Sequence, residues 1–347
     1  MAPEAFPSSP TAGFDVLAAM GSELRQWFES HGVIEEPPPG TLLIEEGVQE
    51  ESVYIVLGGT AQVVTSGHDG SNVELARLQR GNLTGEMSFL DPASLPVASV
   101  VAAENCRVLA VDRCRLQTAI ESSFLLARQL YRLFAEKLSE QLREQNSFIH
   151  RIPGSSVEAL RKVLVVFAEL SEADVAWLAR IGRVQHLELG DRLISQGDPV
   201  PDLYVILKGN LRILLADAGE EREVGTSRRG EILGEMSLLT EQGLATAGVD
   251  AAEPVAVLAV DKALVQRRIA EDDAFAGRFF RALALLLSQR SRDQLRGHGL
   301  ARQATLAEGA MGSEEGQDDD SLDLETLSRI TTAGHRFDWL CSSLQSA

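Results

Sequence analysis

The sequence predicts a mainly β fold with flanking α-helices, arranged as two tandem roll-like domains. Three observations support this prediction: an internal repeat, short β-branched segments separated by glycines, and an amphipathic helix at each end of each copy. The chain has 347 residues, 44% of them hydrophobic, which is more than one compact core usually contains. Two domains are therefore expected.

The internal repeat fixes the domain organisation. Residues 40–47 (GTLLIEEG) match 190–197 (GDRLISQG) at a shift of 150. After one deletion the shift becomes 149, and residues 85–90 (GEMSFL) match 234–239 (GEMSLL). We therefore predict a disordered N-terminus at 1–13, a first domain at 14–150, a second domain at 151–298, and an acidic linker with a C-terminal tail at 299–347.

Each copy repeats the same order of predicted elements. A helix opens it, short strands follow between turn glycines, and a long helix with an apolar stripe closes it. The first closing helix carries Leu130, Phe134 and Leu138 on its stripe, and the second carries Phe279 and Leu283. Such stripes pack into a core, but they also pair subunits in some proteins, so a homodimer through the closing helices remains an alternative.

Composition excludes several classes of function. The net charge is −19, from 51 acidic and 32 basic residues, so the average surface repels nucleic acids and anionic membranes. Apolar runs are too short to span a bilayer, and no signal peptide is recognisable. Phosphate-loop, nucleophile-elbow and zinc-protease motifs are absent. We expect a cytoplasmic, non-enzymatic protein with no catalytic residue, no metal site, and no binding to nucleic acid or membrane.

The order turn glycine, strand, second glycine and then Gly-Glu-Met-Ser, at 85–88 and again at 234–237, resembles the cyclic-nucleotide-binding domain family. The catabolite activator protein and the protein kinase A regulatory subunit typify that family. The resemblance covers about residues 14–146 and 164–296 and implies two tandem β-rolls without a DNA-binding domain. It also implies a cyclic nucleotide as the candidate ligand, and no other cofactor is expected.

In that family a phosphate cassette binds the ligand, and here it corresponds to residues 85–99 (the first cassette) and 234–248 (the second cassette). The resemblance implies that Glu86 and Glu235 accept a hydrogen bond from the ribose 2′-hydroxyl and that the glycine before each is a bend. The candidate ligand-binding residues are Gly85, Glu86, Met87, Ser88, Val97, Ala98 and Ser99 in the first copy, and Gly234, Glu235, Met236, Ser237, Thr246, Ala247 and Gly248 in the second.

Both cassettes lack the arginine that pairs with the cyclic phosphate in the family. Its positions align with Val97 and Thr246, and no lysine or arginine occurs at 86–106 or 235–261. Removing one member of a buried charge pair costs about 2–5 kcal/mol, which is roughly 30-fold to several-thousand-fold in affinity. We therefore predict pockets without a cation and weak binding of ordinary cyclic nucleotides.

Two alternatives apply to these pockets. A cation from elsewhere would restore ligand binding, and its candidate sources are Arg77, Arg80, Arg228, Arg229 and the closing helices. Conversely, Glu86 and Glu235 could cap their short helices, a structural role that needs no ligand.

The leading hypothesis is a regulatory or scaffold protein that binds other proteins and whose nucleotide pockets are degenerate or retuned. The second is a sensor of cAMP, cGMP or a cyclic dinucleotide that transmits occupancy to a partner. A transcription regulator is disfavoured, because residues 297–347 contain nine acidic and three basic side chains. Apolar residues at 322–330 and 337–340 predict short helices that dock on this chain or on another protein.

Overall fold

A computed structural model describes residues 14–66, 72–145, 166–217, 220–240, 243–307 and 324–345. Unit 1 comprises Met1–Ser147 and Leu287–Glu315, and unit 2 comprises Phe148–Leu286 and Gly316–Ala347. The N-terminus predicted to be disordered, at 1–13, lies outside the described residues, as do most of the interdomain linker and the acidic stretch at 308–320.

Unit 1 contains two four-stranded antiparallel sheets, with strand orders β1-β8-β3-β6 and β2-β7-β4-β5. Its strands are β1 (Val33–Glu35), β2 (Leu42–Ile44), β3 (Ser52–Gly58), β4 (Ala61–Ser66), β5 (Asn72–Leu78), β6 (Leu83–Thr84), β7 (Ser99–Ala102) and β8 (Arg107–Asp112). Its helices are α1 (Val16–Ala19), α2 (Ser22–His31), α3 (Glu86–Leu90), α4 (Arg113–Ser122) and α5 (Phe124–Gln145).

Unit 2 repeats this topology, with strand orders β9-β16-β11-β14 and β10-β15-β12-β13. Its strands are β9 (Arg183–Leu187), β10 (Arg192–Ile194), β11 (Asp202–Lys208), β12 (Asn210–Asp217), β13 (Glu220–Arg228), β14 (Ile232–Leu233), β15 (Gly248–Ala251) and β16 (Val255–Asp261). The helices that follow α5 are α6 (Glu172–Ile181), α7 (Lys262–Glu271), α8 (Asp273–Ala307) and α9 (Leu324–Gln345). The predicted pair of β-rolls with flanking helices is confirmed.

Equivalent apolar positions fill the two roll interiors. Val56 and Val108 belong to the core cluster of unit 1, and Ile206 and Val257 belong to that of unit 2. On β16, Val255, Val257 and Ala259 all belong to the unit 2 cluster, so every second side chain of this strand faces the roll interior. The sequence repeat therefore corresponds to a repeat of packing.

The repeated motif VLAVD also sets the start of a helix in each unit. Asp112 accepts a hydrogen bond from the Arg115 amide at 2.7 Å, and Asp261 accepts one from the Ala263 amide at 2.7 Å. Each carboxylate therefore satisfies a free N–H at the beginning of the helix that follows the last strand. The motif ends a strand and caps the next helix within five residues.

The long closing helices bury most of their predicted stripes, although Phe124 at the start of α5, which was predicted to belong to the first stripe, is 65% exposed. Leu130, Phe134 and Leu138 on α5 are fully buried, and Phe279 and Leu283 on α8 are at most 2% exposed. The predicted boundary between residues 298 and 299 lies within α8, which continues to Ala307. Neither α8 nor any other helix in the described part of the chain combines the length and apolarity needed to cross a membrane.

The C-terminal residues form one 22-residue helix, α9, where the sequence predicted separate short helices. Of the two alternatives, docking on this chain is the one observed, because α9 packs within unit 2. Phe337 contacts the buried Phe167 with ring centroids 5.1 Å apart. The Arg336 guanidinium donates to the carbonyl oxygens of Phe167 and Ala168 at 3.1 and 2.9 Å. Residues 166–169 are helical, and these contacts satisfy two backbone acceptors that the end of that helix leaves free.

The Arg336→Met substitution is expected to lower the free energy of unfolding by about 1–3 kcal/mol, because it removes charge-assisted bonds to half-buried carbonyls. Asp338→Asn on the same helix breaks only the exposed 2.9 Å pair with Arg229 and should cost less than about 1 kcal/mol. Urea denaturation of both variants measures the difference. Equal losses of unfolding free energy in the two variants would show that Arg336 does not stabilise the packing of α9.

Candidate functional site

Each cassette begins with a glycine in the left-handed region. Gly85 has φ of 90°, and Gly234 has φ of 83°. A Cβ atom added at Gly85 would lie 2.6 Å from the Ser52 carbonyl oxygen, and one at Gly234 would lie 2.9 Å from that of Asp202. Both the backbone conformation and the close approach of a neighbouring strand therefore require glycine.

The glutamate after each glycine is buried at the start of a short helix. Glu86 and Glu235 are each 2% exposed, at α3 in unit 1 and at the 3₁₀ turn Met236–Leu238 in unit 2. Glu86 lies in the first turn of α3, where a negative charge is favourable, and Glu235 is the N-cap residue of the 3₁₀ turn but makes no side-chain capping hydrogen bond. The capping alternative stays a prediction.

Glu86 forms a buried ion pair with Lys137 of α5. The Lys137 Nζ atom lies 2.5 Å from Glu86 Oε1, and the side chains are 15% and 3% exposed. The same Nζ atom donates to Gln141 Oε1 at 2.9 Å, one turn further along α5. The carboxylate proposed to accept a ribose hydroxyl thus already has a hydrogen-bond donor from the protein.

This pair corrects the prediction that the first pocket lacks a cation. The source is the closing helix, one of the sources considered from the sequence. Two other candidates are engaged elsewhere: Arg77 pairs with Glu74 at 2.7 Å, and Arg229 pairs with Asp338 at 2.9 Å. Since two buried opposite charges offset each other, the pair itself contributes no net positive charge to an incoming anion.

The amphipathic pattern of α5 contained a signal for Lys137. Its position is seven residues after Leu130 and three after Phe134, which places it on the buried stripe. A lysine on an apolar stripe usually has a buried acidic partner. The corresponding residue of the second copy, at the shift of 149, is Leu286, which is 3% exposed. The first closing helix therefore supplies a buried lysine to its cassette, whereas the second has a leucine at the corresponding position.

Unit 2 has a buried cation of its own beside the cassette. Lys262, the first residue of α7, is 7% exposed, and its Nζ atom donates to the Val200 carbonyl at 2.7 Å and to Ser237 Oγ. Burial lowers the pKa of Lys262 to about 8, although the charges of Glu235 and Asp202 act to raise it. Lys262 follows directly after the stretch 235–261 that lacks lysine and arginine, so a buried ammonium group lies beside the second cassette, where the sequence predicted no cation.

The lowered pKa of Lys262 predicts a specific pH dependence. Below about pH 8 the amine is protonated in both folded and unfolded chains, whereas between about 8 and 10.5 the unfolded chain binds more protons. Stability contributed by this group therefore rises with pH across that interval. We expect the wild type to gain about 1–2 kcal/mol relative to Lys262→Met between pH 7 and 9.5. Urea unfolding at both pH values tests this, and a constant difference would contradict it.

The other predicted site residues lie along the same two cassettes. In unit 2, Thr246 Oγ1 lies 4.0 Å from Met236 Sδ, so the structure brings the two ends of the second cassette into contact. Ser237 Oγ donates to the Gly234 carbonyl at 2.7 Å. In unit 1, Ser99 Oγ accepts from the Glu46 amide at 2.9 Å. Ser88, Ala98 and Gly248 are buried, whereas Met87, Val97 and Ala247 are half-buried.

A second carboxylate beside the first cassette was not predicted from the sequence. Glu50 accepts hydrogen bonds from the Ser52 amide at 2.9 Å and from the Tyr54 hydroxyl at 3.5 Å. Burial raises the pKa of Tyr54 to about 12, and the charge of Glu50 adds to the shift. Burial likewise raises the pKa of Glu50. These groups lie next to Ser52, against which Gly85 packs.

Comparison with known proteins identifies the family. The model of the cyclic nucleotide-binding domain matches residues 34–123 and 184–272, which together are just over half of the chain. The matches fall on the two rolls and include both short helices that follow Gly85 and Gly234. The chain therefore belongs to the cyclic-nucleotide-binding domain family and contains two tandem copies of that domain.

Similar proteins include a cAMP-dependent protein kinase regulatory subunit from Hypocrea atroviridis, 23% identical over 68% of this chain and 46% of that protein. A cGMP-dependent protein kinase from Drosophila melanogaster is 22% identical over 70% of this chain and 20% of its own length. The chain thus spans less than half of either relative. A solved structure of cAMP-bound PfPKA-R is similar at 15% identity, with a TM-score of 0.32, over 74% of this chain and 80% of that one.

Proposed function

We propose that this chain is a non-enzymatic regulatory protein that acts through contacts with other proteins and whose first nucleotide pocket is retuned by an internal ion pair. One of the relatives named above is a kinase regulatory subunit. By that similarity, the partner of this chain is a protein. In this proposal the nucleotide pockets change or weaken the response of the chain to a ligand.

The observation that carries this proposal is the bond between Lys137 Nζ and Glu86 Oε1 at 2.5 Å. A ribose hydroxyl that binds Glu86 must displace or share with a charged donor, and hydrogen bonds to charged groups contribute about 1.5–3 kcal/mol. In addition, Val97 offers no charge to the phosphate. Both effects lower the affinity for an ordinary cyclic nucleotide.

Calorimetric titration of the full chain with cAMP and with cGMP tests the proposal. We expect dissociation constants weaker than about 100 µM, since the missing phosphate partner alone costs roughly 30-fold or more in affinity. Dissociation constants near 1 µM or below for either ligand would overturn it.

A working nucleotide sensor is the second candidate, and the buried ammonium group of Lys262 favours it. Lys262 contacts Ser237 and supplies a positive charge next to the second cassette, which the sensor hypothesis requires, whereas the charge of Lys137 is offset by Glu86. Under this hypothesis a cyclic mono- or dinucleotide raises the melting temperature of the wild type. Lys262→Met should then remove most of that rise, because it removes the positive charge beside the second cassette. If no such ligand shifts the melting temperature, the sensor hypothesis is excluded.

A further inference from the structure

We propose that the first pocket takes an uncharged ribonucleoside as its ligand, with Glu86 accepting the 2′-hydroxyl and no partner required for a phosphate. This inference rests on the proposed function, because it names the class of ligand that suits the retuned first site. It concerns unit 1 alone. The carboxylate that recognises a sugar hydroxyl is retained there, whereas Val97 stands where the family has its phosphate-binding arginine.

The Glu86 carboxylate keeps one oxygen for a sugar hydroxyl. Lys137 Nζ bonds Oε1 at 2.5 Å, and no group in the described part of the chain donates to Oε2. Glu86 is only 2% exposed, so water has little access to this oxygen. A buried acceptor without a donor is costly, and a ligand hydroxyl that donates to Oε2 removes that cost without breaking the ion pair.

The Lys137 ammonium group offers a second contact to the sugar. Of its three N–H donors, two have acceptors within the described residues, Glu86 Oε1 and Gln141 Oε1. The Lys137 side chain is 15% exposed, so the third donor can reach a ligand oxygen. A ribonucleoside presents two adjacent free hydroxyls, one for Oε2 and one for this donor. In a 3′,5′-cyclic nucleotide the 3′-oxygen is part of a phosphate ester and is a weaker acceptor.

The charges beside the first cassette favour a neutral ligand. The opposite charges of Glu86 and Lys137 offset each other, and the cassette itself contains no lysine or arginine. A guanidinium does reach the cassette, that of Arg292 on α8, but its Nη1 atom donates to the Leu95 carbonyl at 2.8 Å. An anionic phosphate would therefore lose water and have to compete for a donor that the protein already uses. A nucleoside has no charge to bury.

Calorimetric titration of the full chain with adenosine, guanosine, cAMP and cGMP tests this inference. We expect at least one ribonucleoside to bind about tenfold more tightly than its cyclic nucleotide, because it needs no phosphate partner. The matching 2′-deoxyribonucleoside should bind about tenfold more weakly than the ribonucleoside, since its bond to the Glu86 carboxylate is lost.

Two variants test whether the ligand occupies the first pocket. Glu86→Ala should abolish nucleoside binding, whereas Glu235→Ala, the matched change in the second cassette, should leave it unchanged. Val97→Arg keeps the Glu86–Lys137 pair and should reverse the preference, so that the cyclic nucleotide binds more tightly than the nucleoside. Because this reversal leaves the buried pair intact, it remains decisive if Glu86→Ala does not fold.

The possible outcomes separate this inference from the proposed function. Tighter binding of a ribonucleoside that requires both its 2′-hydroxyl and Glu86 supports the inference. It is overturned if no ribonucleoside binds with a dissociation constant below about 1 mM, if the 2′-deoxy compound or the cyclic nucleotide binds equally well, or if Val97→Arg leaves the preference unchanged. Should cAMP and cGMP also bind weakly in that case, the proposed function stands and only the ligand class is wrong. Dissociation constants of about 1 µM for cAMP or cGMP overturn the proposed function itself.

Discussion

Replacing Lys137 by methionine is expected to lower the free energy of unfolding by about 3–5 kcal/mol, which is among the largest effects of any single substitution. The reason is the partner that remains: Glu86 is 2% exposed, and without Lys137 its carboxylate stays buried next to an uncharged side chain. Methionine keeps most of the volume of lysine, so the loss reports on charge rather than on a cavity. Urea denaturation followed by circular dichroism measures it.

Arg132→Met provides the matched control, because it removes a cation from the same helix. Arg132 pairs with Glu136 at 2.7 Å, but its side chain is 53% exposed. An exposed pair of this kind contributes about 0.2–1 kcal/mol. If Lys137→Met and Arg132→Met destabilise the protein equally, the Glu86–Lys137 pair is not the buried interaction described above.

Replacing Val97 by arginine is expected to raise the affinity for cAMP at least about 30-fold, because it supplies the missing charge partner of the phosphate. Val97 is half-buried at the end of the first cassette, directly before the buried Ala98. Calorimetric titration of the variant and the wild type measures the gain. The wild type is the reference because its own cation, Lys137, is engaged by Glu86.

Two further variants establish where that gain arises. Val97→Gln introduces a side chain of comparable length without charge and should leave the affinity close to that of the wild type. Adding Glu86→Ala to Val97→Arg should remove most of the gain if the ligand occupies the first pocket. A similar gain from glutamine would show that side-chain size, and not charge, limits binding.

The fold was predictable because its signals are local and occur twice. Short β-branched strands, turn glycines and a capped helix after VLAVD each depend on residues within about ten positions of one another. The internal repeat indicated that these elements form two equivalent rolls, and the strand orders of the two units match. The bend at Gly85 was implied by the resemblance to the family, and the approach of Ser52, which leaves no room for a Cβ atom, gives its physical reason.

The charges of the site were less predictable because their sources lie outside the cassettes. Lys137 follows Glu86 by 51 positions in the sequence, and only the packing of α5 brings the two together. Lys262 lies one residue beyond the stretch of the second copy that contains no cation. Arg292 reaches the first cassette from a helix that begins in the second copy of the repeat. The periodicity of apolar residues identifies which face of a helix is buried, but it does not identify the residues that this face contacts.

The central claim is that the acidic group of the first pocket is neutralised from within the protein. A double-mutant cycle built from the wild type, Glu86→Gln, Lys137→Met and the combined variant measures the coupling between the two side chains most directly. We expect a coupling free energy of about 2 kcal/mol or more, because both charges are largely withdrawn from water. A coupling below about 0.5 kcal/mol would mean that the pair does not form in solution, and the account of the first pocket would be wrong.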